Sequence, residues 1–420
     1  MKLFAIALPI SFVAWAVLFP SNADAQSTAP PAKDGLWSKQ LLTDDFWAEG
    51  AAAADVNKDG KVDVFYGPYW FEGPDFKKRH VIYPDTKRSS FTGPNGEKIE
   101  IPGFKGGKTN TNEYSDNFIS GTHDVNGDGW PDYIVAGFPG KETFWYENPQ
   151  GGDQPWKRHV VWHNTDNESP LLANVVGDAF PELVCMSGGH IGYAQCDPKN
   201  PTQEWKWHPV SPKMNWQKFT HGIGYGDVNG DGRTDLLEAG GWWEQPASLD
   251  GDPQWKRHEA KFGGGGAQMY VYDVNGDGKN DVITSLSGHG YGVAWFEQSA
   301  DGWKENRIVG TPNAAAETGL IFSQAHSVEL ADMNGDGILD VITGKRFWAH
   351  GPGGDPEPGA PAVVWWFELQ RQGGRAKYVP HLIDDSSGVG TQFFVADLNG
   401  DKKLDVVTGN KRGCAVHIQK

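Results

Sequence analysis

The chain has 420 residues with 37 basic and 54 acidic side chains, and its net charge of −17 excludes a nucleic-acid partner for want of a basic face. Three cysteines exclude a disulfide-framed scaffold, while 55 glycines and 19 tryptophans fit many turns and large aromatics packed between sheets.

Residues 1–25 stand apart. Lys2 precedes an apolar run over 3–19, and Ala23-Asp24-Ala25 is a small-x-small cleavage site. The segment reads as a secretory signal peptide cut after Ala25, which predicts a secreted or periplasmic protein. The run is short for a membrane span and no other stretch approaches that length, so no span is expected. Residues 26–35 read as a flexible linker and 36–420 as one domain.

A strand-like segment over 36–42 precedes the first of six copies of a nine-residue frame, with Asp at places one, five and nine and Asn at place three. The copies are Asp55, Asn57, Asp59, Asp63; Asp124, Asn126, Asp128, Asp132; Asp227, Asn229, Asp231, Asp235; Asp273, Asn275, Asp277, Asp281; Asp332, Asn334, Asp336, Asp340; and Asp397, Asn399, Asp401, Asp405. Oxygen side chains at alternate places, followed by a Gly able to take φ > 0, suit a hard cation with about six to eight oxygen ligands. Six divalent ions would return twelve charges and leave about −5 of the −17, so the acidity is mostly a cation-site signature. A seventh copy over 174–182 is damaged, with Asn174, Val176 and Ala179 at places one, three and six, and is expected empty. The last frame has Lys402 at place six instead of Gly, which costs roughly 1 kcal/mol if Lys must take φ > 0.

Apolar residues before each frame (Met269-Tyr270-Val271-Tyr272) and β-branched residues after it (Val282-Ile283-Thr284) make it a loop between a first and a second strand. A third strand pairs aromatics with Glu, as in Tyr69-Trp70-Phe71-Glu72 and Trp242-Trp243-Glu244. A fourth runs from an aromatic to a His, as in Trp255 to His258; these His recur with the unit and read as structural. Only two strands follow the last frame, and segment 36–42 supplies the missing one. Seven units alternating without a gap predict an all-β, seven-bladed β-propeller with blades of four antiparallel strands. Its ring closes where the N-terminal segment completes the last blade beside 414–418. A monomer is expected. Cys185 and Cys196 could bridge neighbouring strands, and two buried thiols fit as well. Two longer stretches, 83–116 and 348–363, interrupt the pattern on the face opposite the frames and mark it as the functional face.

The frames, the aromatic-aromatic-Glu strand and the closing order resemble the FG-GAP or VCBS-repeat propellers, known from integrin α-subunit heads and from secreted bacterial proteins. The resemblance spans nearly all of the chain after the signal segment. It implies Ca2+ in the six intact frames, about six ions in all. A more distant likeness is to the propellers of aldos-2-ulose dehydratase and of polysaccharide lyases.

Counting back from each frame puts Glu49, Glu168, His221 and His326 at the starts of the innermost strands, followed one place later by Gln268 and Gln392. Such strand starts converge on a central channel. The ends of the second strands add His289, Tyr291, Lys345, Arg346 and His350. Imidazole and carboxylate in one ring suit acid–base work or one transition metal such as Zn2+. Two function classes follow. In the first, an exported, calcium-stabilised scaffold binds a glycan or protein at this face through Gln268, His289, His350 and Gln392. In the second, a sugar-active enzyme of lyase or dehydratase type uses His221, His326, Glu49, Glu168, Tyr291, Lys345 and Arg346 as its catalytic set. There Arg346 or Lys345 neutralises a carboxylate or enolate while His or Tyr moves a proton. The 83–116 insertion is expected as a lid.

Overall fold

The computed structural model describes residues 27–420 except 32, 34, 86, 87, 93–97, 103–113 and 153, and gives 88–92, 98–102 and 352 as backbone alone. The expected signal peptide and most of the expected lid therefore lie outside the described residues. Apart from one 3-10 turn at Gly351–Gly353, every regular element described is a β-strand.

After β1 (Trp37–Thr43), strands β2 to β5 (Ala52–Ala54, Asp63–Tyr66, Tyr69–Phe71, Arg79–Val81) pair antiparallel in that order. β6 and β7 (Arg88–Thr92, Lys98–Pro102) form a separate hairpin within the insertion. β8 to β10 (Ile119–His123, Asp132–Ala136, Lys141–Glu147) lead into β11 (Lys157–Ala173), and the sheet continues through β12 to β14 (Glu182–Ser187, His190–Gln195, Lys206–Pro209). The sequence predicts two strands where β11 is one. Its first half pairs with β10 and its second with β12, and the register shifts between Asp166 and Leu171, around Asn167 at φ 65°. A bulge thus supplies the bend that a loop was expected to make, and the outer strand of one unit runs on as the inner strand of the next.

β15 to β18 (Ile223–Gly226, Asp235–Glu238, Gly241–Glu244, Lys256–Glu259) and β19 to β22 (Gln268–Tyr272, Asp281–Ser285, Val293–Ser299, Gly302–Val309) are two antiparallel fours joined by parallel pairing of β15 with β19. Gly224 permits that approach, since a Cβ there would stand 2.3 Å from the Met269 carbonyl oxygen. β23 to β26 (Val328–Ala331, Asp340–Gly344, Val364–Gln372, Arg375–Asp384) form another four. β27 to β29 (Phe393–Ala396, Asp405–Asn410, Gly413–Gln419) take β1 as their fourth, with Trp37 opposite Gln419 and Thr43 opposite Cys414. The first strands of successive units adjoin one another, and β27 in turn adjoins β2.

Each frame sits between a first and a second strand, and its ninth-place Asp opens the second. That Asp is fully buried in all six intact copies. One carboxylate oxygen accepts the N–H of the apolar second-place residue (Val56, Val125, Val228, Val274, Met333, Leu398) at 2.9–3.1 Å. The other accepts an N–H in the later part of the third strand or just beyond it at 2.7–2.9 Å. The ninth-place Asp thus ties loop to sheet, whereas places one, three and five accept the loop's own N–H groups, as Asp273 and Asn275 do from Asp277. In the damaged copy the Asn174 amide donates to the Asp178 carbonyl, and Glu182 takes over the strut to Val175 at 2.7 Å. Lys402 does adopt φ 70°.

Third-strand tryptophans pack between sheets and carry the fourth-strand histidines on their faces. Trp70 and His80 stack at 3.8 Å and Trp242 and His258 at 4.0 Å, with each imidazole anchored to the Glu of the third strand. All three cysteines are free and buried. The stretch expected as a flexible linker is partly held. The Ser27 N–H and hydroxyl bond the Glu357 carboxylate at 2.5 and 2.6 Å, Thr28 N–H reaches the Ile321 carbonyl at 2.7 Å, and Lys33 pairs with Asp384 at 2.6 Å. Backbone N–H groups, a hydroxyl and an ammonium of the segment thus find carboxylates and a carbonyl as acceptors.

Candidate metal centre

Four side chains from separate parts of the chain converge: Glu168, His221, His289 and His326. Glu168 follows Asn167 at the bulge in β11, which turns it inward. His221 lies two residues before β15 and His326 two before β23, while His289 stands in the loop between β20 and β21. Gly288 beside it is obligatory, since a Cβ there would lie 2.6 Å from the His221 ring.

The His221 Nε2 lies 3.0 Å from the His326 Nε2 and 2.9 Å from the His289 Nε2. The Glu168 Oε2 stands 3.4 Å from the first and 3.2 Å from the second of these imidazoles. His221 Nδ1 donates to the Phe219 carbonyl at 2.9 Å, which takes up that nitrogen and leaves Nε2 as the one turned inward. His289 Nδ1 faces the Asp355 carboxylate at 3.4 Å, which favours the same tautomer. Nitrogen lone pairs facing each other at 3 Å repel unless something shared lies among them. Tetrahedral zinc with metal–nitrogen bonds of about 2.0–2.1 Å has ligand–ligand edges of about 3.3 Å, close to the separations here.

Protonation states agree. Burial, with Arg346 second, pushes His326 down to about 3, and burial also lowers His289. Against its own burial, Glu168 is held well below the usual carboxylate range by the His221 and His326 imidazoles when these carry a proton toward it, a place a bound cation would take over. Neutral imidazoles and an ionised carboxylate are what a bound cation needs. Asp355, also held low against burial by His289 and His350, accepts from the His350 Nδ1 at 2.8 Å and from its N–H. A carboxylate behind a ligating His fixes its tautomer and orientation.

The other expected residues fall into three groups. Arg346 and Glu49 sit beside the centre, both buried, with Nη2 3.1 Å from the Glu49 Oε2 and Nη1 3.8 Å from Glu168. Arg346 was expected to meet a substrate carboxylate and instead serves two of the protein's own, because both are buried and need a counter-charge. Lys345 and Tyr291 lie in a second cluster. The Lys345 Nζ donates to Ser323 at 3.0 Å, with its pKa pushed down to about 8 by burial, and the Tyr291 hydroxyl donates to Glu357 at 2.9 Å. His350 is half exposed on Asp355.

Gln268 and Gln392, expected as ligand contacts, are struts. Gln268 spans from β19 to the Val328 N–H and the Thr391 carbonyl, and Gln392 clasps both main-chain groups of Ser120. An inward amide at a crowded strand start satisfies neighbouring backbone rather than a ligand. His289, expected in the wall, stands in the centre. Asp355, Glu357 and Lys411, the last 3.7 Å from Glu49, were missed. Asp355 and Glu357 share the Pro/Gly-rich loop with His350, and Lys411 follows its strand much as Lys345 does, a signal that alignment of the repeats carries.

Residues 273–343, from the fourth intact frame to just past the fifth, match the family model described as FG-GAP-like repeat. No curated protein matches the chain. Among solved structures the chain is similar to BBS1N, crystallised with ARL6DN and soaked with mercury, at 10% identity and TM-score 0.46, covering 92% of this chain and 97% of that one. It is also similar to the exotype rhamnogalacturonan lyase YesX (13% identity, TM-score 0.42, covering 91% and 72%) and to virginiamycin B lyase from Staphylococcus aureus (11% identity, TM-score 0.42, covering 91% and 98%).

Proposed function

We propose that the chain is an exported, seven-bladed propeller of FG-GAP type that acts as a metal-dependent enzyme. Calcium in the six intact frames holds the blades on one face, and the ring closes through β1. Glu168, His221, His289 and His326 hold one transition metal, Zn2+ by preference, at the mouth of the channel on the other. The observation that carries the reading is the convergence of three imidazole Nε2 atoms and one carboxylate oxygen, with separations of 2.9–3.4 Å among those measured.

A bound zinc ion supplies Lewis acidity towards an oxygen of the substrate. The chain's own groups do the rest. Asp355 orients His289, Arg346 stands as the buried cation between Glu168 and Glu49, and Lys345, which burial pushes down to about 8, can give up or take a proton near neutral pH. Loss of a proton beside a carbonyl with departure of an oxygen leaving group, the lyase or dehydratase class, uses these parts. A binding role for a glycan or protein without turnover is the second reading, favoured by the exposed Met214 and Phe219 on the loop leading to His221.

Metal analysis of the purified chain under calcium, followed by mild chelation, tests the proposal. One residual zinc per chain, lost in His326→Ala while the fold remains, is expected. A wild-type chain with no affinity for any transition metal ends it.

A further inference from the structure

Next to His221 a cavity of about 270 Å³ opens, walled by Met186, Trp216, Phe219, Thr220 and Glu238. Its walls are of two kinds. Trp216 is braced edge-on by Trp243 at 6.2 Å, and Phe219, at 40% exposure, is braced edge-on by Phe138 at 5.9 Å. The turn carrying both is set locally. Thr220 N–H donates to the Gln217 carbonyl at 2.8 Å, and Gln217 N–H donates back to the Thr220 hydroxyl at 2.9 Å. The other side presents the Glu238 carboxylate, 5% exposed, which accepts from Arg257 Nη2 at 2.8 Å and from Gly240 N–H at 2.6 Å.

The wall chemistry narrows the occupant. A wholly apolar guest would cover with carbon the Glu238 Oε2, which has one donor in Gly240 and room for another. An anionic guest would meet Glu238 and, across His221, Glu168. A cationic guest would find Glu238 already matched by Arg257. A neutral ring with carbon–hydrogen faces and several hydroxyl donors meets both walls: the faces lie on Trp216 and Phe219, and hydroxyls donate to Glu238 and Thr220. The volume lies just under the roughly 300–1,000 Å³ of pockets for larger ligands, which suits a single ring.

We propose that this cavity is the substrate subsite and that it takes a neutral monosaccharide unit, set beside the metal centre by the shared His221. The proposal rests on the metal-centre reading for its catalytic meaning, but its binding chemistry stands apart from the metal ligands. The test is calorimetric titration of the zinc-loaded full chain with D-glucose, D-galactose and D-glucuronate, with zinc content measured on every sample. At least one neutral hexose should bind, glucuronate should bind more weakly, and both Glu238→Gln and Phe219→Ala should weaken the hexose about tenfold or more with zinc content unchanged. Zinc-loaded protein that binds neither hexose, that prefers glucuronate, or whose two variants bind like wild type overturns the sugar subsite and leaves the metal centre standing. Hexose binding that needs Glu238 in a chain that takes up no zinc supports the subsite and sinks the centre instead.

Discussion

Replacing Glu168 by Gln keeps the side chain's size and removes the anionic donor from the set. Its Oε2 lies 3.2 Å from the His326 Nε2 and 3.4 Å from the His221 Nε2, so it is the group that would balance a cation's charge among neutral imidazoles. Arg346 keeps Glu49 at 3.1 Å after the change, so no buried charge is stranded and the fold should survive. Loss of a residue that only orients a ligand lowers metal affinity about 10–100-fold, so loss of a direct ligand should exceed about 100-fold, or about 2.7 kcal/mol. Asp355→Asn, acting through His289, belongs in the lower range. Gln392→Ala, which removes an amide clasping the Ser120 main chain, should leave affinity untouched. Competition for zinc against a chromophoric chelator, with calcium present throughout, measures all three. Equal affinity in wild type and Glu168→Gln, or a greater loss in Gln392→Ala than in Asp355→Asn, would refute the assignment.

Calcium should stabilise the chain by about 2.7 kcal/mol per site filled at a hundredfold its Kd, so chelation should lower Tm strongly. Asp277→Ala should reduce that calcium response, whereas Asp178→Ala in the frame bridged by the Asn174 amide should not; identical Tm in chelator and in excess calcium would sink the idea. Deleting residues 37–42 removes most of β1 and bares the β29 edge, so size-exclusion should show aggregation; a soluble truncation with unchanged Tm speaks against closure. Burial pushes the fully buried His417 down to about 4, so between its ordinary value of 6.5 and about 4 the unfolded chain binds the extra proton. Stability is therefore whole above 6.5 and falls by up to about 3 kcal/mol as pH drops through that window. His417→Gln should flatten the fall in urea unfolding measured across it, and an unchanged slope would show that His417 is not responsible.

The all-β class and the strand positions could be read from residue order because both are local: a period-two apolar pattern breaks at each Asp-rich frame, and β-branched residues resume after it. The frame also predicts its own geometry, down to φ 70° at Lys402 where a glycine normally stands. Repetition extended this reach, since counting from each frame brought Glu168, His221 and His326 to equivalent strand starts. Counting could not say where a side chain at such a start would turn. Gln268 and Gln392, one place further on in their units, bind backbone, because packed strand starts leave N–H and C=O groups that an amide satisfies from both ends. His289 reaches the centre only because Gly288 lets its loop close on His221, and Asp355 stands behind it only because the 348–363 loop folds back. Periodicity along a chain specifies which residues share a level in the fold. Which of them share one cation's reach depends on bulges, glycine contacts and loop returns that only the assembled sheets determine.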